Sequence, residues 1–342
     1  MENAKVLLIY TGGTIGMMKD NITGELRAFD FEHLNAQVPE LDRLNVDLSS
    51  ISFDDPIDSS DMHPKDWARI ARQIELNYND YDGFVVLHGS DTMAFTASGL
   101  SFMLQGLRKP VILTGSQLPI GTIRTDGKEN LITSIEIAAS KDDNGMPLIQ
   151  EVAIYFEYSL YRGNRTTKVS AKHFEAFQSP NYQELAIAGV DINYHYPNLY
   201  RTSLQDLELF TAFEEDIALL KLYPGIHMKM YEGLFDPKHT KAIVLETFGA
   251  GNAPHNKQLQ DLITKFTTSG GIILNITQCA SGSVQQGLYE SSSFFNKAGV
   301  VNGKDLTTES ALAKLMYVLG RYSSKDECIA ALKRDIVGEM QA

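Results

Sequence analysis

Cysteine is scarce: Cys279 and Cys328 are the only two in 342 residues. That excludes a disulfide framework and a cysteine-based zinc site. Positive charge is also short, with 30 Lys and Arg against 43 Asp and Glu and a formal net charge of −13. A nucleic-acid-binding protein needs a basic stripe to neutralise phosphates, and an anionic membrane surface would repel this chain. Neither partner is expected, and the acidity reads as solubility. Long apolar runs are missing too. None approaches the roughly 18 residues of a membrane span, and the strand-like Val6–Tyr10 is not preceded by the charged and apolar regions of a secretory leader. A cytoplasmic chain is expected.

What is present is enough for a sizeable core. Hydrophobic residues make up 43% and charged residues 21%, near globular averages, and the length suits two domains. Short runs rich in Val and Ile recur at Val6–Tyr10, Phe84–Leu87, Val111–Leu113, Val152–Phe156, Ile217–Tyr223, Ala242–Leu245 and Ile272–Ile276. They are continuous rather than alternating, which predicts strands covered on both faces, as in a parallel sheet. Helical spacing lies between them. Trp67, Ile70, Ala71, Ile74 and Tyr78 share one face behind Pro64, and Leu259, Leu262, Ile263 and Phe266 share another before Gly270. Ala311–Gly338 reads as two further helices. Such alternation defines an α/β layered fold. The pattern lapses around Asp191–Leu204 and resumes at Ile217. We therefore expect a larger N-terminal, doubly wound, mainly parallel domain over 1–195, a linker over 196–214, and a smaller C-terminal α/β domain over 215–342.

Ligands of open α/β sheets sit beyond the carboxyl ends of the strands. Three successive strand ends carry hydroxyls beside glycine: Thr11-Gly12-Gly13-Thr14-Ile15-Gly16, His88-Gly89-Ser90-Asp91-Thr92 and Thr114-Gly115-Ser116-Gln117. Two glycines before Thr14 let backbone N–H groups approach a ligand. A hydroxyl beside exposed donors is what acyl transfer requires, a nucleophile next to an oxyanion site. A phosphate loop is the competing reading, but Met17–Gly24 is polar and turn-like, and no Gly-Lys-Ser/Thr follows. Taken singly, each feature has a plainer explanation. Ser90 and Asp91, like Asp58-Ser59-Ser60-Asp61, precede helical segments and are good caps. His88 reads as a satisfied structural histidine, and the three basic residues of Arg162–Lys168 as a solvated face.

Together these residues closely resemble the bacterial-type asparaginase/glutaminase family, in particular its cytoplasmic type I branch. The resemblance continues through Asp58-Ser59-Ser60-Asp61-Met62, Leu113–Gln117, Arg162–Lys168, Gly249–Pro254 and Thr277-Gln278-Cys279, nearly the whole chain in order. It implies a homodimer or a dimer of dimers that hydrolyses the side-chain amide of L-asparagine to aspartate and ammonia, without metal or cofactor. Carried over by residue, Thr14 is the nucleophile and forms an acyl-enzyme, with Ser90, Asp91 and Lys168 as a second catalytic cluster. A lysine held beside a hydroxyl is a candidate base. Asp91 is expected to pair with the substrate α-ammonium. Asp58, Ser59 and Ser60 hold the α-amino and α-carboxylate ends, while backbone groups of Gly89 and Ser116 meet the amide.

This chain departs from the family pattern in three places. Ser90 stands where the family usually has Thr, which keeps the hydroxyl but loses the methyl that restricts its rotamer. Met17–Phe31 lacks the Tyr that many relatives carry there, so either Tyr289 supplies the phenol or Thr14 is activated otherwise. Thr167, Thr277 and Cys279 match a second, activating asparagine site of some relatives. Glu246, however, occupies the place of an effector-binding Arg, and that reversal of charge makes cooperativity unexpected. A non-catalytic amino-acid-binding protein on the same scaffold is the main rival. It would not need Thr14, Asp91 and Lys168 together.

Overall fold

The computed structural model describes residues 3–16, 18–19, 26–27, 38–287 and 290–341. The chain divides into two compact units, Met1–Thr211 and Ala212–Ala342. Among the described residues, no helix is long and apolar enough to cross a membrane.

The first unit is built on β1 (Ala4–Tyr10), β2 (Val46–Ser52), β3 (Gly83–Leu87), β4 (Val111–Thr114), β5 (Val152–Phe156), β6 (Ser159–Arg162), β7 (Ala186–Ala188) and β8 (Ile192–Tyr194). They form one sheet in the order β8-β7-β6-β5-β4-β3-β1-β2. The pairs from β2 to β5 are parallel, and β6, β7 and β8 are added antiparallel at one side. Every residue of β3, β4 and β5 is buried, as the continuous apolar runs predict. Edge strand β2 alternates instead, with Val46 and Leu48 packed toward the core and Asp47 and Ser49 exposed.

Three helices flank this sheet: α1 (Pro64–Leu76), α2 (Met93–Met103) and α3 (Gly127–Ala139). Pro64 opens α1, the Asp66 carboxylate accepts the His63 N–H at 3.1 Å, and Trp67, Ile70, Ala71 and Ile74 form the buried face. Ten of the eleven residues of α2 are buried, the signature of a helix enclosed on all sides. Thr92–Leu107 is expected as one helix, but α2 stops at Met103, because Leu104–Gln105 pairs antiparallel with Glu208–Leu209. The 196–214 stretch, expected as a linker, carries structure of its own. Asn198 O accepts from Arg162 at 2.8 Å, Tyr200 N–H donates to Glu151 at 2.7 Å, and Phe210 N–H donates to Met103 O at 2.9 Å.

In the second unit β9 (Ile217–Lys221), β10 (Ala242–Thr247), β11 (Ile272–Thr277) and β12 (Val301–Asn302) form a parallel sheet in sequence order. Helix α4 (Lys257–Thr268) buries Leu259, Ile263 and Phe266, and Asn256 caps its first turn by accepting from Leu259 N at 3.1 Å. Helix α5 (Glu290–Lys297) leads to the two expected C-terminal helices, α6 (Thr308–Arg321) and α7 (Lys325–Lys333).

The Arg162–Lys168 run is not the solvated face expected. Arg162 and Arg165 are only 5% and 3% exposed. Arg162 pairs with Glu151 at 2.6 Å and stacks 4.3 Å from the Tyr182 ring centre. Arg165 donates to Asn181 O at 3.0 Å. Burial reverses the expectation because the partners arrive from distant segments. Glu151→Ala leaves a buried guanidinium without its carboxylate, and urea unfolding is expected to show a loss of about 3–5 kcal/mol. A loss below about 1 kcal/mol, the scale of a surface pair, would contradict this packing.

Candidate active site

The sheet's order reverses at β1, which has β2 on one side and β3 on the other. Such a switch point opens a crevice at the carboxyl ends of the strands, and the turns after β1 and β3 border it. They touch where side chains are missing. Gly12 and Gly13 have φ of +136° and +88°, conformations that side-chain-bearing residues rarely adopt. A β-carbon on Gly12 would collide with the Ile57 carbonyl, and one on Gly13 with the Gly89 backbone. A β-carbon on Gly89 would meet Ser59 Oγ, and one on Gly115 would strike the His88 carbonyl. Four segments thus meet backbone to backbone, with Thr14 next in sequence to Gly13.

Thr14 is half-buried and opens a short turn, Thr14–Gly16, in which Ile15 is 1% exposed. The turn is anchored behind it. Thr11 donates both N–H and hydroxyl to Leu87 O, at 3.1 and 3.0 Å, while its own carbonyl accepts from Ile57 N at 2.8 Å.

On the β3 side, Lys168 Nζ lies 2.8 Å from Ser90 Oγ and 2.7 Å from Asp91 Oδ1. The Lys168 side chain is 14% exposed, against 68% for Asp91. Ser90 and Asp91 are therefore not helix caps. Thr92 occupies the N-cap of α2, and its hydroxyl donates instead to Ser59 O at 2.6 Å. Lys168 reaches this point because Gly163 packs with α2, where a β-carbon would come within 2.8 Å of Ala97 Cβ. Thr167 and Lys168 then pair antiparallel with Gln178 and Phe177.

His88 is structural, as expected, and fully buried. Its Nδ1 lies 2.7 Å from Gly89 O and its Nε2 2.9 Å from Thr96 Oγ1. A carbonyl only accepts, so Nδ1 carries the proton and the Thr96 hydroxyl donates to Nε2. Burial holds the imidazole neutral, with its pKa lowered to about 4.

The other expected residues fall as follows. Ser59 is 4% exposed and joins the centre through Gly89 and Thr92. Asp58 and Ser60 are exposed and bonded to each other, with Asp58 Oδ1 accepting from Ser60 N at 2.9 Å and from Ser60 Oγ at 2.7 Å. Those two bonds, the side-chain one first, hold the Asp58 carboxyl below its ordinary range. Ser116 is 3% exposed and gives its hydroxyl to Leu118 O at 2.6 Å. Thr167 belongs to the first unit; Glu246, Thr277 and Cys279 belong to the second. In the second unit, Thr277 Oγ1 donates to Gly249 O at 2.6 Å and accepts from Cys279 N at 3.0 Å. Tyr289 lies outside the described residues, as does most of Met17–Phe31. The sequence does not single out Thr92 or Thr96, although the second hydroxyl in Ser90-Asp91-Thr92 is a signal for the first.

Fold and site define a class: a doubly wound α/β protein with hydroxyls, a lysine and a carboxylate gathered at its switch point. An asparaginase N-terminal model matches residues 5–200, and a glutaminase/asparaginase C-terminal domain model matches residues 216–332. The chain belongs to the asparaginase family. It is 38% identical over 346 residues to L-asparaginase 1 of Escherichia coli strain K12, covering 99% of each chain. It is 40% identical over 360 residues to the mouse 60 kDa lysophospholipase, covering 98% of this chain and 62% of that one. The crystal structure of L-asparaginase I from Vibrio cholerae O1 biovar eltor superposes with a TM-score of 0.89 at 38% identity, over 99% of this chain and 100% of that one.

The buried His88 makes a pH prediction. Its pKa is about 4 in the folded chain against about 6.5 in the unfolded chain. As pH falls through 6.5 the unfolded chain takes up a proton that the folded chain refuses until about pH 4. Stability that is complete above pH 6.5 is therefore lost toward pH 4, by on the order of 3 kcal/mol. Comparing urea unfolding at about pH 7 and about pH 4.5, His88→Asn should lose roughly 2–3 kcal/mol less than the parent. Equal losses would contradict a neutral, buried imidazole.

Proposed function

We propose that this chain is an L-asparaginase that converts asparagine to aspartate and ammonia through Thr14. The observation that carries the reading is the Lys168–Ser90–Asp91 cluster at 2.8 and 2.7 Å, beside a turn whose Gly13 packs directly on Gly89.

In this scheme Thr14 Oγ1 attacks the side-chain carbonyl carbon. The hydroxyl proton passes by way of Ser90 to Lys168, the general base. Backbone groups of Gly89 and Ser116 meet the amide, where negative charge develops on the oxygen. Collapse breaks the C–N bond, the proton goes to the departing nitrogen, and ammonia leaves an aspartyl ester on Thr14. Water attacks that ester through the same base, which releases aspartate and restores the hydroxyl. No metal or cofactor enters the scheme. Asp91, largely exposed beyond its contact with Lys168, is placed to receive the substrate α-ammonium. Ser59, with Asp58 and Ser60, lines the α-carboxylate end. Two free thiols and the family resemblance support a cytoplasmic homodimer or dimer of dimers.

The test is ammonia release with and without the Thr14 hydroxyl. Thr14→Ala should lower kcat by more than about 10³-fold, the scale of losing a nucleophile, while the far-ultraviolet spectrum stays unchanged. Retention of a tenth or more of the activity would overturn the assignment. Glutamine is assayed alongside, because one methylene separates the two amides by only about 1–3 kcal/mol.

A second prediction concerns Glu246, Thr277 and Cys279 of the second unit. Glu246 is 6% exposed. Its carboxylate accepts from Thr308 Oγ1 at 2.6 Å and pairs with Lys221 at 3.2 Å. A buried carboxylate there repels an effector's carboxylate, so we expect hyperbolic kinetics with a Hill coefficient of about 1. A clearly sigmoidal asparagine response would contradict this.

A further inference from the structure

We propose that Asp126 and Asn130 are positioning residues for the Gly115–Leu118 loop, an inference that rests on the amidohydrolase reading of the site. Asp126 stands at the N-cap of α3 but makes no side-chain cap bond to its own helix. An aspartate there normally caps the first turn. Here the carboxylate is given to another segment. Oδ2 accepts from Gln117 N at 2.8 Å, and Oδ1 accepts from Gln117 N and Leu118 N, each at 3.1 Å. One turn along the same helix face, Asn130 Nδ2 donates to Gly115 O at 3.0 Å and to Asp126 Oδ2 at 3.4 Å. Its Oδ1 accepts from Glu157 N at 3.0 Å. Asp126 is 5% exposed and Asn130 is fully buried.

Burying a carboxylate and a carboxamide is costly unless their bonds are made. These two side chains satisfy themselves on the turn that leaves β4 and on the turn after β5. The β5 turn is itself unusual. Glu157 and Tyr158 have φ of +45° and +69° without being glycine, a conformation that costs free energy and persists only where its surroundings enforce it. Asn130 is one of those surroundings, since it holds the Glu157 N–H while its other end grips Gly115. Gly115 in turn packs on the His88 carbonyl, so a shift of this loop moves the backbone that faces Gly89. The pair sets the distance between the donors at the amide and the hydroxyl of Thr14. Ser59 and Asp91, which meet the α-ends of the substrate, lie on other turns.

Asn130→Asp keeps the shape but turns a carboxylate oxygen toward Gly115 O and Asp126, both acceptors. Asparagine hydrolysis should lose about 100-fold in kcat, the scale of a 1 Å misplacement, while KM stays within about threefold. Asp126→Asn keeps one acceptor oxygen and should lose about tenfold. In hydrogen exchange, the amides of Gln117 and Leu118 should exchange faster in both variants, and the β1 amides should not. Unchanged kcat and unchanged loop exchange, or a fall in kcat that only tracks the folded fraction, would overturn the inference. If the parent enzyme does not release ammonia from asparagine but the loop amides of the variants still lose protection, the functional reading fails while the positioning role stands. Should Asn130→Asp not fold, Asp126→Asn decides by the same two readouts.

Discussion

The packing of two glycine turns against each other carries the whole arrangement. Gly13 and Gly89 meet at the point where the sheet reverses direction, and neither position has room for a β-carbon. Because β1 and β3 are paired in register from Val6–Gly83 to Tyr10–Leu87, their ends stop at the same height. The turns that follow must then lie side by side. Hydroxyl residues next in sequence, Thr14 and Ser90, are brought to one crevice without any long side chain reaching across. The glycines serve here as spacers that set an interatomic distance. This is a stricter requirement than flexibility.

Around that contact the protein places charge sparingly and ties it down. Lys168 is held by Ser90 and Asp91. The strand that carries it is fixed through Arg162 and Arg165, whose guanidinium groups are buried against Glu151, Asn181 and Tyr182. A lysine on a mobile surface loop could visit many positions. One on a segment anchored by two buried arginines is confined to a few. His88 adds a neutral brace beneath Gly89. The same logic extends to the third turn, where Asp126 and Asn130 give their polar atoms to loop backbone.

The architecture was legible where burial is uniform. Strands covered on both faces write themselves as continuous apolar runs, and β1, β3, β4, β5, β9, β10 and β11 all follow runs recognised in the sequence. Edge strand β2 is not among these runs, because Val46-Asp47-Leu48-Ser49 alternates, the pattern of a half-buried strand. Strand β8 falls in the aperiodic Asp191–Leu204 stretch, where partners from β7 supply what local pattern does not. The site followed from fold class: once a parallel sheet was expected, glycine-flanked hydroxyls at strand ends had a reason to matter. What could not be read was partnership at a distance. Arg162 looks solvated until Glu151 is placed beside it, and Ser90 looks like a cap until Lys168 arrives from 78 positions away. Asp126 carries no mark in the sequence, since only the fold brings the loop at 117–118 to its oxygens.

In the proposed reaction the Thr14 hydroxyl and the Lys168 cluster face one ligand. A crystal structure with L-aspartate bound tests it most directly. The aspartate side-chain carboxyl carbon should lie within about 3–3.5 Å of Thr14 Oγ1, the separation of a near-attack pair, with its α-ammonium on Asp91. Aspartate bound elsewhere, or bound in this crevice with its side chain turned away from Thr14, would contradict it.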